Sequence, residues 1–271
     1  MHSAISPRAR RAIARRGLDP ATLQGSGPRG RIVEADVLAS PAPGAAGALP
    51  AAAGLVMRRM IARTTSESVA TIPHFYLQSE VDCTQLVALR AALAPAMERE
   101  HGIKPSITDF IVRAMALALH EQPAANRVWR GDAPHALAEP AIGLVVGLPE
   151  GLAIPVLEGL GSLRQAAAAR HSATHAVRGG ARPTARPCAS SLSNLGTSRV
   201  DAFTAVIPLG QSSILAVGRL AQRAVAVGDA LACRATMRLT LSVDHRVFDG
   251  VPAAAYLGRI TELLEQPAPL V

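Results

Sequence analysis

The sequence predicts an α/β protein, a two-layer sandwich of helices on a mixed sheet, preceded by a small all-α unit. Three observations predict it. Strand-like and helix-like runs alternate along residues 74–264, the pattern that lays helices against a sheet. The run 106–119 is almost wholly apolar, so its helix needs neighbours on most sides. The first 40 residues hold two short helical stretches around a glycine-punctuated loop, enough for only a small core.

The elements follow from local signals. Ser6-Pro7 opens the first helix, a capping hydroxyl ahead of proline at the first helical position, and Gly17 closes it. Residues 18–32 form the loop and 33–39 the second helix. Alanine, proline and glycine make 41–54 a semi-rigid linker. The expected organisation is therefore a small domain over 1–40, that linker, and a larger domain over 55–271. In the larger domain 74–81 reads as a strand and 83–100 as a helix despite Pro95. Ser106-x-x-Asp109 has capping-box spacing ahead of the apolar helix. Residues 141–147 and 152–156 read as strands joined by a proline-glycine turn, 162–177 as a helix, and 189–193 and 213–217 as strands. The run 236–243 alternates polar with apolar residues, as a half-buried strand does, and 251–264 forms the closing helix.

Composition bounds the function. The chain of 271 residues is 49% apolar, which allows one sizeable core and a small second one. The least polar stretch, 41–56, is broken by proline and glycine and falls short of the ~20 apolar residues of a membrane span. No basic-then-apolar N-terminal segment is present, so a cytoplasmic location is expected. Cys83, Cys188 and Cys233 are too few and too far apart for a disulfide framework or a zinc site; reduced thiols and no metal are expected.

The net charge of +8 is uneven: residues 1–40 hold seven arginines against three acidic residues, half of the excess. An acidic partner surface, a solvated arginine-rich face and nucleic acid are the readings of such a patch. Nucleic acid is disfavoured, because no aromatic residues interleave with the arginines.

The chemistry concentrates in Asp244-His245-Arg246-Val247-Phe248-Asp249-Gly250, where a histidine and a carboxylate follow directly on a strand-like run. A histidine at the end of a rigid element can act as a general base. Taken alone it would more often be a satisfied or merely exposed histidine. Asp249, four residues on, either caps the closing helix or orients the site. Ser193, beside Asn194-Leu195-Gly196, would by itself be a turn residue.

Asp-His-Arg-x-x-Asp-Gly resembles the active-site signature of the dihydrolipoamide acyltransferases of 2-oxo acid dehydrogenase complexes, which share a fold with chloramphenicol acetyltransferase. The resemblance runs in order through Thr71-Ile72-Pro73-His74-Phe75-Tyr76-Leu77, Ser106-Ile107-Thr108-Asp109-Phe110-Ile111, Pro123-Ala124-Ala125-Asn126, Gly151-Leu152-Ala153-Ile154-Pro155-Val156 and Ser193-Asn194-Leu195-Gly196 to the histidine motif. The N-terminus, with Ser6-Pro7-Arg8-Ala9-Arg10-Arg11 and Gly25-Ser26-Gly27-Pro28-Arg29-Gly30-Arg31-Ile32, resembles the peripheral subunit-binding domain of the same enzymes.

The resemblance implies a chloramphenicol acetyltransferase-like sandwich in the larger domain. It implies His245 as the base that deprotonates the acyl acceptor, Ser193 as the hydroxyl that hydrogen-bonds the oxyanion, and Asp249 as an orienter acting through an arginine, with Arg63 the candidate. It implies acyl-CoA, such as acetyl-CoA, as co-substrate. It also implies a homotrimer, or an assembly of trimers, in which the histidine and serine come from neighbouring subunits, so that a monomer is inactive. Arg10, Arg11 and Arg31 match arginines that contact acidic surfaces of companion enzymes.

Departures from the pattern bear on the acceptor. No lipoyl domain is evident and Lys104, the single lysine, lies beside Pro105 at a helix start, so no lipoate is expected on this chain. The family's Asn-Pro-Pro-Gln turn is replaced by Pro208-Leu209-Gly210-Gln211, and its Gly-Gly-Thr by Pro187-Cys188-Ala189. The leading expectation is accordingly stand-alone O-acylation of a small-molecule hydroxyl in bacterial specialised metabolism, such as a polyketide tetronate pathway. The alternatives are acyl transfer between CoA and dihydrolipoyl groups on another chain, and a non-catalytic docking subunit.

Overall fold

The computed structural model describes residues 5–16, 18–40, 52–149, 151–183 and 186–271. The chain divides into two compact units, Met1–Leu55 and Val56–Val271.

In the first unit α1 spans Pro7–Arg16 and α2 spans Glu34–Ala39, with 3-10 turns at Pro20–Thr22 and Pro28–Gly30 between them. Ser6 Oγ accepts the Ala9 N–H at 3.2 Å, the expected cap. Ala9, Ala12, Ile13, Ile32 and Val37 form a miniature core. Asp36 fastens the loop to α2: its carboxylate accepts from the Ser26 hydroxyl, the Val33 N–H and the Ser26 N–H, which together hold it below the usual carboxylate range. Gly17 and residues 41–51, where the helix stop and most of the linker were expected, lie outside the described residues. The rest of that stretch is helical, because α3 spans Ala52–Thr71. It was missed in the sequence because its apolar residues show no helical stripe and most of its side chains stay exposed.

The second unit is built on a seven-stranded mixed sheet. Its strands are β1 (His74–Asp82), β4 (Ile142–Leu144), β7 (Val156–Leu157), β8 (Ser190–Asn194), β9 (Ser213–Val217), β10 (Ala221–Val227) and β11 (Ala230–Asp244). The order is β1-β11-β9-β8-β4-β7, with β10 paired to the first half of β11. Two hairpins lie outside it, β2 (Arg127–Arg130) with β3 (Ala133–Ala136) and β5 (Val146–Leu148) with β6 (Gly151–Ala153). The expected strands 141–147 and 152–156 are each split, so that β4 and β7 stay in the sheet while β5 and β6 leave it as a separate hairpin.

The helices are α4 (Thr84–His101), α5 (Ile107–Glu121), α6 (Leu163–Arg178) and α7 (Gly250–Glu265). Phe110, Met115, Leu163, Tyr256 and Ile260 from them share one core with Leu192, Leu215, Leu239, Leu241 and Val243 of the strands. α4 continues through Pro95 and ends at Gly102, whose φ of +67 only glycine adopts freely. At the start of α5, Asp109 is fully buried and accepts from the Ser106 N–H at 2.7 Å, from the Ser106 hydroxyl at 2.8 Å and from the Arg170 guanidinium of α6. Removing Arg170 would strand that carboxylate, a defect of about 3–5 kcal/mol for a buried pair.

The strand 236–243 corrects the half-buried expectation. Its apolar side chains face the helices, but Thr236, Thr240 and Ser242 on the other face are buried as well. Ser242 Oγ donates to the Ala205 carbonyl at 2.7 Å and Ser68 Oγ of α3 to the Ile207 carbonyl at 2.6 Å, so the segment 201–212 and the end of α3 lie over that face. No helix among the described residues is long and apolar enough to cross a membrane.

Candidate active site

β11 delivers His245. The strand ends at Asp244, which is fully buried and grips the residue two positions on: Arg246 donates from Nε to Oδ1 at 2.9 Å and from Nη2 to Oδ2 at 2.7 Å. The Arg246 N–H also meets Oδ1 at 3.0 Å, closing a tight turn with His245 at its crest. The His245 N–H donates to the Pro73 carbonyl at 3.0 Å, which ties the turn to the start of β1. The imidazole lies 4.5 Å, centroid to centroid, from the Phe75 ring, and its Nδ1 stands 3.3 Å from Asp249 Oδ1.

Asp249 makes this contact in place of a side-chain helix cap. Asp249 is the N-cap residue of α7, yet its side chain makes no capping hydrogen bond. The carboxylate turns to His245 instead. Arg63 is exposed on α3 and, among the described residues of the single chain, no ion pair joins it to Asp249. A carboxylate on Nδ1 selects the tautomer with the proton there and leaves Nε2 free to take one.

Ser193 lies on β8, opposite Ala216 of β9, which in turn lies opposite Thr240 of β11. Its hydroxyl makes no hydrogen bond to another described residue. The residues around it are fixed: Asn194 Nδ2 donates to Thr108 Oγ1 at 3.1 Å, and Asn194 Oδ1 accepts the Gly196 N–H at 2.7 Å. Ser191, on the same face of β8 as Ser193, donates to Gln211. Gln211 closes the turn 208–211, with its N–H on the Pro208 carbonyl at 3.1 Å and Gly210 at a φ of +81. The altered turn therefore belongs to the end of the sheet where β8 starts and β11 finishes, the end that carries His245.

The loop after Ser193 is clamped. Asp201 accepts from Arg219 Nε at 2.7 Å and from Arg223 Nη2 at 2.5 Å, and these bonds hold its carboxyl at about 2, well below the usual carboxylate range. A depressed folded-state value means that the stabilisation is complete above about pH 4 and is lost as pH falls toward 2. The melting temperature of Asp201→Asn is therefore expected to lie furthest below that of the unaltered protein above pH 4, with the gap closing in acid. A gap that stayed constant from pH 6 to pH 2.5 would refute the clamp.

The structure does not bring His245 and Ser193 together within one chain. Five residues of β11, about 16 Å, and two strand spacings, about 10 Å, separate the two positions. Neither lines the cleft of about 1060 Å³ formed by α5 with residues 137–141 and 158–161. Cysteine offers little alternative chemistry nearby: burial pushes the Cys188 thiol up to about 11 and the Cys83 thiol up to about 12, so neither is an available thiolate.

Arg10 and Arg11 are exposed on α1, and Arg31 is exposed after the second 3-10 turn. A bridge between Ile5 and Ile32 sets Arg31 beside the start of α1. Two supporting residues were not singled out in the sequence. Thr108 falls inside a recognised motif but its partner Asn194 follows from the fold, whereas Arg246 pairs with Asp244, two residues before it in the same motif.

The comparisons with known proteins agree with this geometry. Residues 54–271 match the model for the 2-oxoacid dehydrogenases acyltransferase catalytic domain, and residues 4–38 match that for an E3 binding domain. The dihydrolipoyllysine-residue acetyltransferase component of the acetoin cleaving system of Bacillus subtilis is 32% identical over 98% of this chain and 70% of its own length. The corresponding component of the pyruvate dehydrogenase complex of Zymomonas mobilis is 32% identical over 97% of this chain and 64% of its own. The chain spans 55% to 70% of the length of such curated relatives.

Among solved structures, a probable dihydrolipoamide acetyltransferase from Listeria monocytogenes superposes with a TM-score of 0.75 at 28% identity, covering 83% of this chain and 96% of its own. The dihydrolipoamide acetyltransferase of Azotobacter vinelandii gives 0.74 at 28% identity, covering 80% and 91%. In that protein a serine, a histidine 52 residues after it and an asparagine four residues further on were investigated for their role in the catalytic mechanism. With both units matched and the sandwich superposed on acetyltransferase cores, the chain belongs to the 2-oxoacid dehydrogenase acyltransferase family.

Proposed function

We propose that this protein transfers an acyl group between CoA and a dihydrolipoyl thiol as the acyltransferase of a 2-oxo acid dehydrogenase complex. One observation carries the reading: His245 follows Ser193 by 52 residues and Asp249 follows His245 by four, the spacings of the catalytic serine, histidine and asparagine studied in the Azotobacter enzyme. The named relatives act on dihydrolipoyllysine, and none points to a free hydroxyl acceptor, so O-acylation in specialised metabolism gives way to the lipoyl reading. The intact histidine motif argues against a docking-only subunit.

In the proposed mechanism His245 Nε2 takes the proton of the attacking thiol as its sulfur bonds to the thioester carbonyl carbon. The carbonyl oxygen becomes an oxyanion that accepts a hydrogen bond from Ser193. When the intermediate collapses, the old carbon–sulfur bond breaks and the imidazolium returns the proton to the departing thiolate. Asp249 holds the tautomer and steadies the imidazolium. Because the two groups stand far apart in one chain, His245 of one subunit works with Ser193 of a neighbour, in trimers of the kind that build larger cores. The dihydrolipoyl group is carried outside residues 1–271, where Lys104 offers no suitable attachment. Residues 4–38 dock a companion enzyme, with Arg10, Arg11 and Arg31 facing its acidic surface.

The test is an acceptor assay. With acetyl-CoA, the purified protein is expected to acetylate dihydrolipoamide and release CoA, while simple alcohols and hydroxylated polyketide analogues stay unmodified. Acetylation confined to hydroxyl acceptors would reverse the assignment.

A further inference from the structure

We propose that Trp129 is a positioning residue for His245, acting through Arg246. The inference rests on the reading of His245 as the base. Asp244 and Arg246 flank His245, and their forked ion pair fixes the turn that presents it. One edge of the Arg246 guanidinium is thus committed to a buried carboxylate. Its Cζ lies over the Trp129 ring, 5.3 Å from the ring centroid. An indole ring there attracts the cation.

The hairpin that supplies Trp129 is built to hold it still. Trp129 pairs with Pro134 across β2 and β3, while β3 is exposed along its whole length. At the hairpin's base Asn126 Nδ2 donates to the Leu137 carbonyl at 3.1 Å, and the Leu137 N–H returns to the Asn126 carbonyl at 2.9 Å. Val128 is fully buried, and Trp129, on the opposite face of the strand, packs partly against the main core. The ring is therefore fixed relative to the sheet, and through Arg246 it limits how far the turn under His245 can tilt. Phe75 and Asp249 orient the imidazole itself; Trp129 secures the backbone beneath it.

Trp129 is the only tryptophan in the chain, so its emission reports this contact without any reference to catalysis. In the full-length protein Arg246→Lys is expected to shift the Trp129 emission maximum, because an ammonium cannot both fork onto Asp244 and stack on the ring. In the acetyl-CoA and dihydrolipoamide assay Trp129→Leu is expected to lower kcat about fivefold with KM for acetyl-CoA unchanged, and Trp129→Phe, which keeps a π face, to recover most of it.

Equal losses in the leucine and phenylalanine variants would reduce Trp129 to a packing residue and overturn the proposal. So would unchanged emission in Arg246→Lys, a readout that stands even if Trp129→Leu fails to fold. A normal rate in His245→Ala would instead remove the base assignment and leave the emission result intact, so the two failures are distinguishable.

Discussion

Replacing His245 with alanine is expected to lower turnover about 10²- to 10⁴-fold, the range for losing a positioned general base. The protein should fold and assemble as before, because the imidazole is half exposed where it meets Phe75 and Asp249. The backbone bond from His245 N–H to the Pro73 carbonyl survives the substitution, as does the Asp244–Arg246 pair. The loss should fall on kcat at little change in KM for acetyl-CoA, as an interaction made only in the transition state requires. Steady-state kinetics with dihydrolipoamide, alongside light scattering for the assembly, checks both parts. Near-normal turnover in an intact assembly would end the assignment.

Ser193→Ala is expected to cost about 10²-fold in kcat, roughly the 3 kcal/mol of a single oxyanion donor. No fold energy is at stake in the hydroxyl, which bonds to no described residue of its own chain, and β8 is held by its ladders to β4 and β9 and by the Asn194–Thr108 bond. Ser193→Thr keeps a donor at the same atom and should retain most of the activity lost to alanine. If alanine and threonine variants were equally impaired, the residue would be filling space rather than stabilising charge.

Much of the fold was legible where one local rule dominates. The capping spacing of Ser106 and Asp109 and the apolar run behind it located α5, and α1, α4, α6 and α7 fall within a residue or two of their expected bounds. The strands of the sheet core were read from their branched and alternating residues. What escaped was two local hairpins and the contacts between segments distant in sequence. The hairpin of β10 with the first half of β11 is joined by Gly228-Asp229, and that of β2 with β3 by Gly131-Asp132; both glycines have positive φ, +58 and +56. These two-residue loops were a usable hairpin signal, masked by flanking strands rich in alanine and arginine. The polar residues of β11 looked solvent-facing because nothing in sequence says that 201–212 folds back over them.

The site divides in the same way. His245, Ser193 and Asp249 were identifiable because their motifs are contiguous, and the 3.3 Å contact between His245 and Asp249 spans only four residues. Their supports, Trp129 under Arg246 and Thr108 beside Asn194, join segments more than 80 residues apart and became visible only with the sheet. The separation of His245 from Ser193 needed the register of three strands.

That separation makes the shared site the central claim, and mixed assemblies test it most directly. Co-expressing His245→Ala and Ser193→Ala chains in equal amounts, with different affinity tags to isolate the hybrids, creates interfaces that combine an intact histidine with an intact serine. In every isolated hybrid of a cyclic trimer one interface in three receives both groups, so about a third of the unaltered activity should return. Hybrids no more active than the two parent variants would contradict a site built from two chains.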